Sequence, residues 1–436
     1  MSLRAQNAGD NLEFDFGFST KAPARADLRL AAQLRAFREF GQATRMIQIE
    51  GRAKSGPQIR VPGYVNEFWT SKQRAASSLH EISYRACFKP QLPRFFIERL
   101  TKPGDIVYDP FVGRGTTLVE AALLGRIPYG CDINPLCRHM AWPRIHPPEL
   151  TQVVERLGTI PFDTSRRAPE DLLAFYHPET LRQVASLKKY LLDREQRGEA
   201  DNVDRWIGMV ALNRLTGHSP GFFSVYTMPP NQAVSAKSQR KINQQRGQTP
   251  PRRDVAKIIL KKSRQLLGDV PPAARRVVAK VSRSGLLLTE PSARTPEIPN
   301  DSVALVVTSP PFLDVVDYAG DNWLRCWFAG IDPVSVPLTI LKKLEAWQDA
   351  MTAVFRELFR VLRPGGYVAF EVGEVRGGTI KLEETVLPCG AEAGLDPVLV
   401  LINDQKFTKT ANCWGVDNNF KGTNTNRVVV FNKPQV

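Results

Sequence analysis

The sequence predicts an α/β fold whose sheet is interrupted by a helical insert. One observation behind this prediction is a strand, a glycine-rich turn, a helix and a second strand between residues 104 and 132. Another is the apolar run at residues 303–307, which stops in Thr308, Ser309 and two prolines. The chain has 436 residues, enough for a sizeable core and two or more domains.

The glycine-rich turn links a buried strand to a capped helix. The strand ends at Asp109, and the turn runs Pro110-Phe111-Val112-Gly113-Arg114-Gly115 before Thr116 and Thr117 begin the helix. The next strand, residues 127–131, ends at Asp132. Glycines allow close backbone approach, a helix N-terminus favours an anionic group, and an acid at this strand end can accept hydrogen bonds from a ribose. The spacing is not Gly-x-Gly-x-x-Gly, which disfavours a nicotinamide oxidoreductase.

The second motif, Thr308-Ser309-Pro310-Pro311-Phe312, follows the apolar strand directly. Two prolines remove two N–H donors and fix the backbone, so nearby carbonyls lack chain partners. A polar side chain, a free carbonyl and an aromatic face therefore meet at the carboxyl end of a strand, where ligands of open α/β sheets bind. This grouping suits a flat base that is held by its exocyclic amino group.

Together the two motifs resemble the amino-methylating DNA methyltransferases, which use S-adenosyl-L-methionine to modify cytosine N4 or adenine N6. In this resemblance residues 109–117 are the cofactor loop and residues 308–312 the catalytic loop. Ser309 before two prolines resembles the cytosine-N4 branch, whereas adenine enzymes more often carry Asp or Asn there. The resemblance implies a Rossmann-like methyltransferase sheet, mostly parallel, with one antiparallel strand near the C-terminus.

The resemblance also implies the roles of individual residues. Those expected to bind the cofactor are Asp109, Pro110, Phe111, Gly113, Gly115, Thr116, Thr117, Asp132, Ile133 and Thr308, with His80 and Tyr84 from the segment that covers its methionine part. Those expected to be catalytic are Ser309, Pro310, Pro311 and Phe312. Ser309 Oγ and the Pro310 carbonyl would accept the cytosine amino protons, and Phe312 would stack on a flipped-out base. The chain departs from the family at Glu290-Pro291-Ser292-Ala293, where relatives usually show Gly-Asp-Ala.

The positive charge is concentrated in one part of the chain. Of a net charge of +15, residues 231–283 hold fourteen Lys and Arg against two Asp. Charge runs are usually solvated helix faces, but this density favours nucleic acid. The residues predicted to contact DNA are Lys237, Arg240, Lys241, Arg246, Arg252, Arg253, Lys257, Lys261 and Lys262.

Four regions follow from these placements. Residues 1–60 read as a basic arm or helical lead-in, 61–146 as the first part of the catalytic core, 147–283 as a helical target-recognition insert and 284–436 as the second part of the core. The six cysteines lack Cys-x-x-Cys pairing, so we expect no metal site. No apolar run reaches the roughly 20 residues of a membrane span, and we expect a cytoplasmic protein.

The sequence therefore predicts a site-specific methyltransferase acting on cytosine N4 in double-stranded DNA. The resemblance alone implies a restriction–modification setting, with a cognate restriction endonuclease acting separately. Adenine N6 in DNA and a base amine in structured RNA stay open as targets. A non-catalytic DNA-binding protein on the same scaffold is disfavoured by the intact Gly113, Gly115 and Asp132. The oligomeric state stays open.

Overall fold

The computed structural model describes residues 25–51, 58–70, 76–84, 87–163, 168–227, 233–311, 318–337, 341, 343–375, 380–404 and 425–435. Its strands are β1 (Arg45–Gly51), β2 (Ile59–Asn66), β3 (Ile106–Asp109), β4 (Ile127–Cys131), β5 (Leu286–Leu288), β6 (Val303–Thr308), β7 (Leu362–Val372), β8 (Glu374–Val375), β9 (Ile380–Lys381), β10 (Asp396–Asp404) and β11 (Thr425–Asn432). Its α-helices are α1 (Arg25–Ala36), α2 (Gln91–Leu100), α3 (Thr116–Leu123), α4 (Pro135–Ile145), α5 (Leu150–Thr159), α6 (Pro178–Gln196), α7 (Asn202–Leu212), α8 (Ala236–Arg246), α9 (Val255–Leu267), α10 (Pro272–Ser282), α11 (Tyr318–Ala329), α12 (Leu344–Val361) and α13 (Leu382–Glu392). No helix within these ranges is both long and apolar enough to cross a lipid bilayer.

One large sheet organises the described chain, with the strand order β1-β2-β10-β11-β7-β6-β3-β4-β5. Strands β5, β4, β3, β6 and β7 run parallel, and β11 is antiparallel to both of its neighbours, β7 and β10. The predicted fold class is therefore confirmed: the sheet is mostly parallel, and an antiparallel strand lies near the C-terminus. The pairing of Val107 with Leu305 sets β3 beside β6 and brings the two sequence motifs together.

Residues 45–66 add two strands at the far edge of the sheet. Strand β1 pairs antiparallel with β2, and β2 pairs in parallel with β10 through Gly63 and Val400. The prediction of a basic arm or helical lead-in for residues 1–60 did not include β1, whereas α1 is a helix within this region. Strand β1 has polar residues at Arg45, Gln48 and Glu50 without strict alternation, and only Ile49 and Gly51 are buried, so its sequence is a weak strand pattern.

The sheet has helices on both faces because its side chains alternate in direction. Val107, Leu305 and Val307 pack with α1 and α2 on one face. Tyr108 and Val306 pack with α12 and α13 on the other face. Every residue of β6 is buried, as expected for a central parallel strand with both faces covered.

The helices α5 to α10 lie between β4 and β5, and their apolar residues pack in one cluster with residues of α3, α4 and α11. The insert predicted to be helical contains, among others, the helices α6, α7 and α9. Asp201 begins α7 by accepting hydrogen bonds from two backbone N–H groups of its first turn. The Trp206 indole donates to Ser263 Oγ over 3.0 Å and joins α7 to α9 inside this insert.

Candidate active site

The two motifs meet where β3 and β6 end side by side. Thr308 Oγ1 donates to Asp109 Oδ1 over 2.6 Å, although the two residues are 199 positions apart. The Phe111 backbone N–H donates to the same oxygen over 3.1 Å, and Oδ2 is buried without a hydrogen-bond partner in the described part of the chain. Burial raises the pKa of Asp109 to about 6, while hydrogen bonds from Thr308, Phe111 and Thr117 act in the opposite direction.

Two glycines with left-handed backbone shape the turn before α3. Gly115 has φ +83°, and a Cβ there would lie 2.6 Å from the Ala141 Cβ of α4. Gly113 has φ +51°, but the nearest atom to its Cβ position is Cε1 of Tyr84 at 3.8 Å. Gly115 therefore allows the turn to pack closely against α4. Gly113 instead leaves the side of the turn that faces Tyr84 open. Thr117 in the first turn of α3 donates to the Val307 carbonyl over 3.1 Å and ties the helix to β6.

Asp132 follows β4 and holds the turn from the side. Its carboxylate accepts the N–H of Gly113 and the N–H of Asn134, each over 2.9 Å. Burial raises its pKa, and these two hydrogen bonds partly offset that effect. The adjoining Ile133 is half-buried. An acid predicted to bind a ribose thus also fixes the turn that lies beside the ligand position.

The segment that departs from the family pattern lies against the same turn. Ser292 Oγ donates to the Pro110 carbonyl over 2.7 Å, and Cys131 Sγ donates to the Glu290 carbonyl over 3.1 Å. Residues 290–292 thus border the cofactor loop with a different sequence from the one that relatives use.

His80 and Tyr84 are brought to the loop, but in different ways. His80 Nε2 contacts Glu120 Oε1 of α3 at 2.7 Å, and Arg94 donates to the other oxygen of Glu120 over 2.9 Å. Burial lowers the pKa of His80, although Glu120 raises it. The imidazole thus anchors residues 78–84 to α3, whereas Tyr84 lies against Gly113.

Ser309 has a buried partner that the sequence did not reveal. Its side chain hydrogen-bonds to Glu371 near the end of β7, and Asn426 Nδ2 of β11 donates to Glu371 Oε1 over 3.1 Å. Glu371 is 6% exposed, and burial raises the pKa of its carboxyl. The only indication in the sequence is one acid inside the apolar run of residues 367–372.

The two prolines after Ser309 are described, but Phe312 lies outside the described residues. The Pro311 carbonyl accepts the indole N–H of Trp347 over 3.0 Å. Trp347 is almost fully buried on α12, so this bond fixes the catalytic loop against the far side of the sheet. The stacking role predicted for Phe312 stays a prediction.

The residues present fit S-adenosyl-L-methionine, the cofactor that the resemblance implies. Asp109 Oδ2 is buried and can accept a hydrogen bond from the cofactor. The space beside Gly113, which a Cβ would occupy, is open to the cofactor. The first backbone N–H groups of α3 face the same turn and favour a negative group. Asp109, Gly113 and Asp132 would hold S-adenosyl-L-methionine, and Tyr84 would line one side of its site.

The predicted DNA-contacting residues divide into exposed and paired groups. Lys237, Lys241 and Arg246 are exposed on α8, and Lys257 and Lys261 are exposed on α9. The remaining exposed members have nearby acids: Arg240 pairs with Asp171 and Arg252 pairs with Glu179. The Lys257 ammonium also lies 3.6 Å from Asp254. Surface pairs of this kind are weak and can exchange for phosphate.

Two predicted DNA contacts do not lie on an open surface. Lys262 is 8% exposed, and its ammonium lies 3.0 Å from Glu81 Oε2, so the structure does not group it with the exposed lysines. Arg253 is half-buried and its Nε is enclosed without a partner in the described part of the chain. Lys262 falls on the apolar side of α9 with Ile259 and Leu266, a spacing that the sequence already contained.

The strand order and the glycine-rich turn between β3 and α3 define the Rossmann-like fold of S-adenosylmethionine-dependent methyltransferases. Residues 34–141 match a family model described as DNA methylase. Over this segment the chain is similar to the amino-methylating DNA methyltransferases, and the resemblance drawn from the sequence is confirmed.

Individual relatives match over short stretches. The chain is 41% identical over 66 residues to the type II methyltransferase M.MjaII of Methanocaldococcus jannaschii, which is 15% of this chain and 12% of that protein. It is 41% identical over 80 residues to the type II methyltransferase M.MvaI of Kocuria varians, 17% and 18% of the two chains. It is also 40% identical over 63 residues to a tRNA (guanine(10)-N2)-dimethyltransferase of M. jannaschii, 14% and 18%. The chain thus spans less than a fifth of the length of each of these three relatives.

Proposed function

We propose that the protein transfers a methyl group from S-adenosyl-L-methionine to the N4 amino group of a flipped-out cytosine in double-stranded DNA. It would act at a specific site and within restriction–modification, with any cognate endonuclease acting separately. The observation that carries this proposal is the Ser309 hydroxyl, which is hydrogen-bonded to the buried Glu371 one residue after the Thr308–Asp109 contact. A hydroxyl so held, next to the cofactor loop, suits an exocyclic amine.

The residues of the catalytic loop would act by orienting the amine. Its nitrogen is a poor nucleophile because the lone pair is delocalised into the ring. Ser309 donates its own proton to Glu371, so its oxygen lone pairs can accept one amino N–H, and the Pro310 carbonyl can accept the other. S-adenosyl-L-methionine supplies the electrophilic methyl group when bound. Most of the rate gain would come from positioning and preorganised dipoles.

Glu371 would complete the proton balance. When the amine gains a methyl group it must lose one proton, which Ser309 Oγ can accept while passing its own proton to Glu371. Burial raises the pKa of Glu371 and thereby makes its carboxylate a better proton acceptor than an exposed glutamate. Asn426 donates to the other side of that carboxylate and holds it in place.

The basic insert would supply the DNA surface. Exposed Lys237, Lys241 and Arg246 on α8, with Lys257 and Lys261 on α9, can contact phosphates with an affinity that falls steeply with salt. The target base must leave the duplex to reach Ser309, because its amino group is otherwise inside the helix.

A base amine in RNA is the second candidate. The matched segment resembles, at 40% identity, a protein whose name describes methylation of a guanine N2 in tRNA. Adenine N6 is the third, because the same loop chemistry serves any exocyclic amine.

Nucleoside mass spectrometry tests all three candidates at once. The purified protein is incubated with methyl-labelled S-adenosyl-L-methionine and either duplex DNA or tRNA, with Ser309→Ala as the matched control. Label in N4-methyldeoxycytidine supports the proposal. Label in N6-methyldeoxyadenosine or only in RNA would replace the target, and no label in any nucleoside would contradict the methyltransferase assignment.

A further inference from the structure

We infer that α9 of the insert is a positioning element for the cofactor site, and that Lys262 and Asp269 set the affinity for S-adenosyl-L-methionine by holding residues 78–84. These residues are called the cover segment below. The inference rests on the proposed use of S-adenosyl-L-methionine. It assigns the inner face of the insert to the cofactor, whereas the outer face was assigned to DNA.

The start of the cover segment is bound to the end of α9. The Ser78 backbone N–H donates to both carboxylate oxygens of Asp269, over 3.1 and 2.9 Å. Ser78 Oγ hydrogen-bonds to Asp269 and to the Leu266 carbonyl, the latter at 2.8 Å. Asp269 lies just beyond the last residue of α9, so a shift of this helix end would carry Ser78 with it.

A second contact fixes the middle of the segment. Lys262 Nζ donates to Glu81 Oε2 over 3.0 Å, and Gln265 Nε2 donates to the same oxygen over 2.5 Å. The Lys262 side chain is only 9% exposed, and burial lowers its pKa, while Glu81 raises it. A buried ammonium is costly without a partner, so this lysine strongly constrains where Glu81 can lie.

The opposite side of the cover segment is bound to the cofactor loop. Arg114, inside that loop, donates to the Ile82 carbonyl over 3.0 Å, and Arg144 of α4 donates to the Leu79 carbonyl over 3.2 Å. His80 contacts Glu120 of α3 at 2.7 Å. The cover segment is therefore held between α9 and the loop, and it ends at Tyr84, which lies beside the open face of Gly113.

Two neighbouring lysines provide a matched pair for the test. Lys262 points inward to Glu81, whereas Lys261 is exposed and has no ion pair among the described residues. Lys262→Met keeps the aliphatic length but loses the bond to Glu81, while Lys261→Met removes the same charge from the surface. Charge alone therefore cannot explain a difference between the two variants.

The experiment measures the Kd of S-adenosyl-L-methionine by calorimetry without nucleic acid. We expect Lys262→Met to raise this Kd by about tenfold, which equals about 1.4 kcal/mol, and Lys261→Met to leave it unchanged. In steady-state assays Lys262→Met should raise the KM for the cofactor and leave kcat at saturation intact. A general loss of structure would instead lower kcat as well.

A second route is needed because Lys262→Met could disturb folding. Asp269→Ala removes the Ser78 contact at the other end of the segment and should also raise the Kd, while Glu81→Gln probes the partner of Lys262 with little change of shape. Equal Kd values for wild type, Lys262→Met and Asp269→Ala, all with native melting temperatures, would overturn the positioning role alone. A wild-type protein that binds no S-adenosyl-L-methionine would overturn the proposed function and this inference together.

Discussion

The strand-end site and the basic insert use charged side chains in opposite ways. Asp109, Asp132 and Glu371 are largely enclosed, and each accepts hydrogen bonds from the neighbouring strand or turn. Lys241, Lys261 and other cations of α8 and α9 are exposed, and several of their neighbours pair only with nearby acids. In the strand-end site the charged side chains hold neighbouring groups in place. In the basic insert they are free to attract other molecules over a distance. Substitutions should therefore change turnover or stability in the first region and salt dependence in the second.

Ser309→Ala should show the largest effect at the strand-end site. Removing one preorganised group of this kind lowers kcat on the order of 100- to 1,000-fold, and the Kd of the cofactor should stay near wild type because Ser309 lies outside the glycine-rich turn. Single-turnover transfer of labelled methyl groups measures this loss. Glu371→Gln is the matched variant, since it keeps an acceptor for Ser309 but cannot take up a proton. Full turnover by Ser309→Ala would remove Ser309 from the mechanism.

Asp109→Asn should stabilise the fold while it weakens cofactor binding. The carboxyl ionises near pH 3.8 when unfolded but at about 6 in the fold, so ionisation opposes folding and wild-type stability falls as pH rises through this window. Asn retains an acceptor for Thr308 without a charge. The free energy of unfolding at pH 7 should rise by up to about 3 kcal/mol, and the two proteins should converge near pH 4. Urea titrations at both pH values test it, and a constant difference would contradict the linkage.

Substitutions of the two loop glycines, Gly113 and Gly115, should have separable effects on stability and on cofactor binding. Gly115→Ala combines φ +83° with a Cβ 2.6 Å from Ala141, and it should lower the free energy of unfolding by about 1–3 kcal/mol. Gly113→Ala also adopts a left-handed backbone, at φ +51°, which costs about 1 kcal/mol, but it meets no atom closer than 3.8 Å, so it should destabilise less than Gly115→Ala and weaken cofactor binding. Thermal unfolding and calorimetric titration of both variants give the comparison. Equal destabilisation by the two substitutions would show that backbone strain, rather than the Ala141 contact, controls the site.

Adjacent cations on α8 should show the smallest and most salt-sensitive effects. Lys241 is exposed and lacks an ion pair within the described ranges, whereas Arg240 pairs with Asp171. Lys241→Gln should lower the slope of log K against log salt for DNA by about 0.9, and Arg240→Gln by less. Binding titrations from low to moderate salt measure both slopes. An unchanged slope for Lys241→Gln would take α8 out of the DNA surface.

The succession of motifs along the sequence was enough to predict that the glycine-rich turn and residues 308–311 lie together. Residues 104–132 encode a strand, a turn, a helix and an acid in succession, and the catalytic loop directly ends a buried strand, so topology brings them together. Glu371 was missed because it contacts Ser309 only after β7 pairs with β6, and one acid in an apolar run has no chemical role in isolation. A count of charges ignores helix faces, so it grouped Lys262 with the exposed lysines although the Lys262 side chain lies on the buried face of α9.

The insertion between β4 and β5 also sets an order of events during synthesis. Thr308 emerges 199 residues after Asp109, a delay of about 10–40 s at ordinary translation rates. Throughout that interval β3 has no β6 beside it, so the backbone groups of Val107 and Tyr108 that will face β6 stay unpaired by it. Helices of the insert that form before β6 emerges would shorten the effective loop that β6 must close. The insert would then also guide assembly of the nascent sheet.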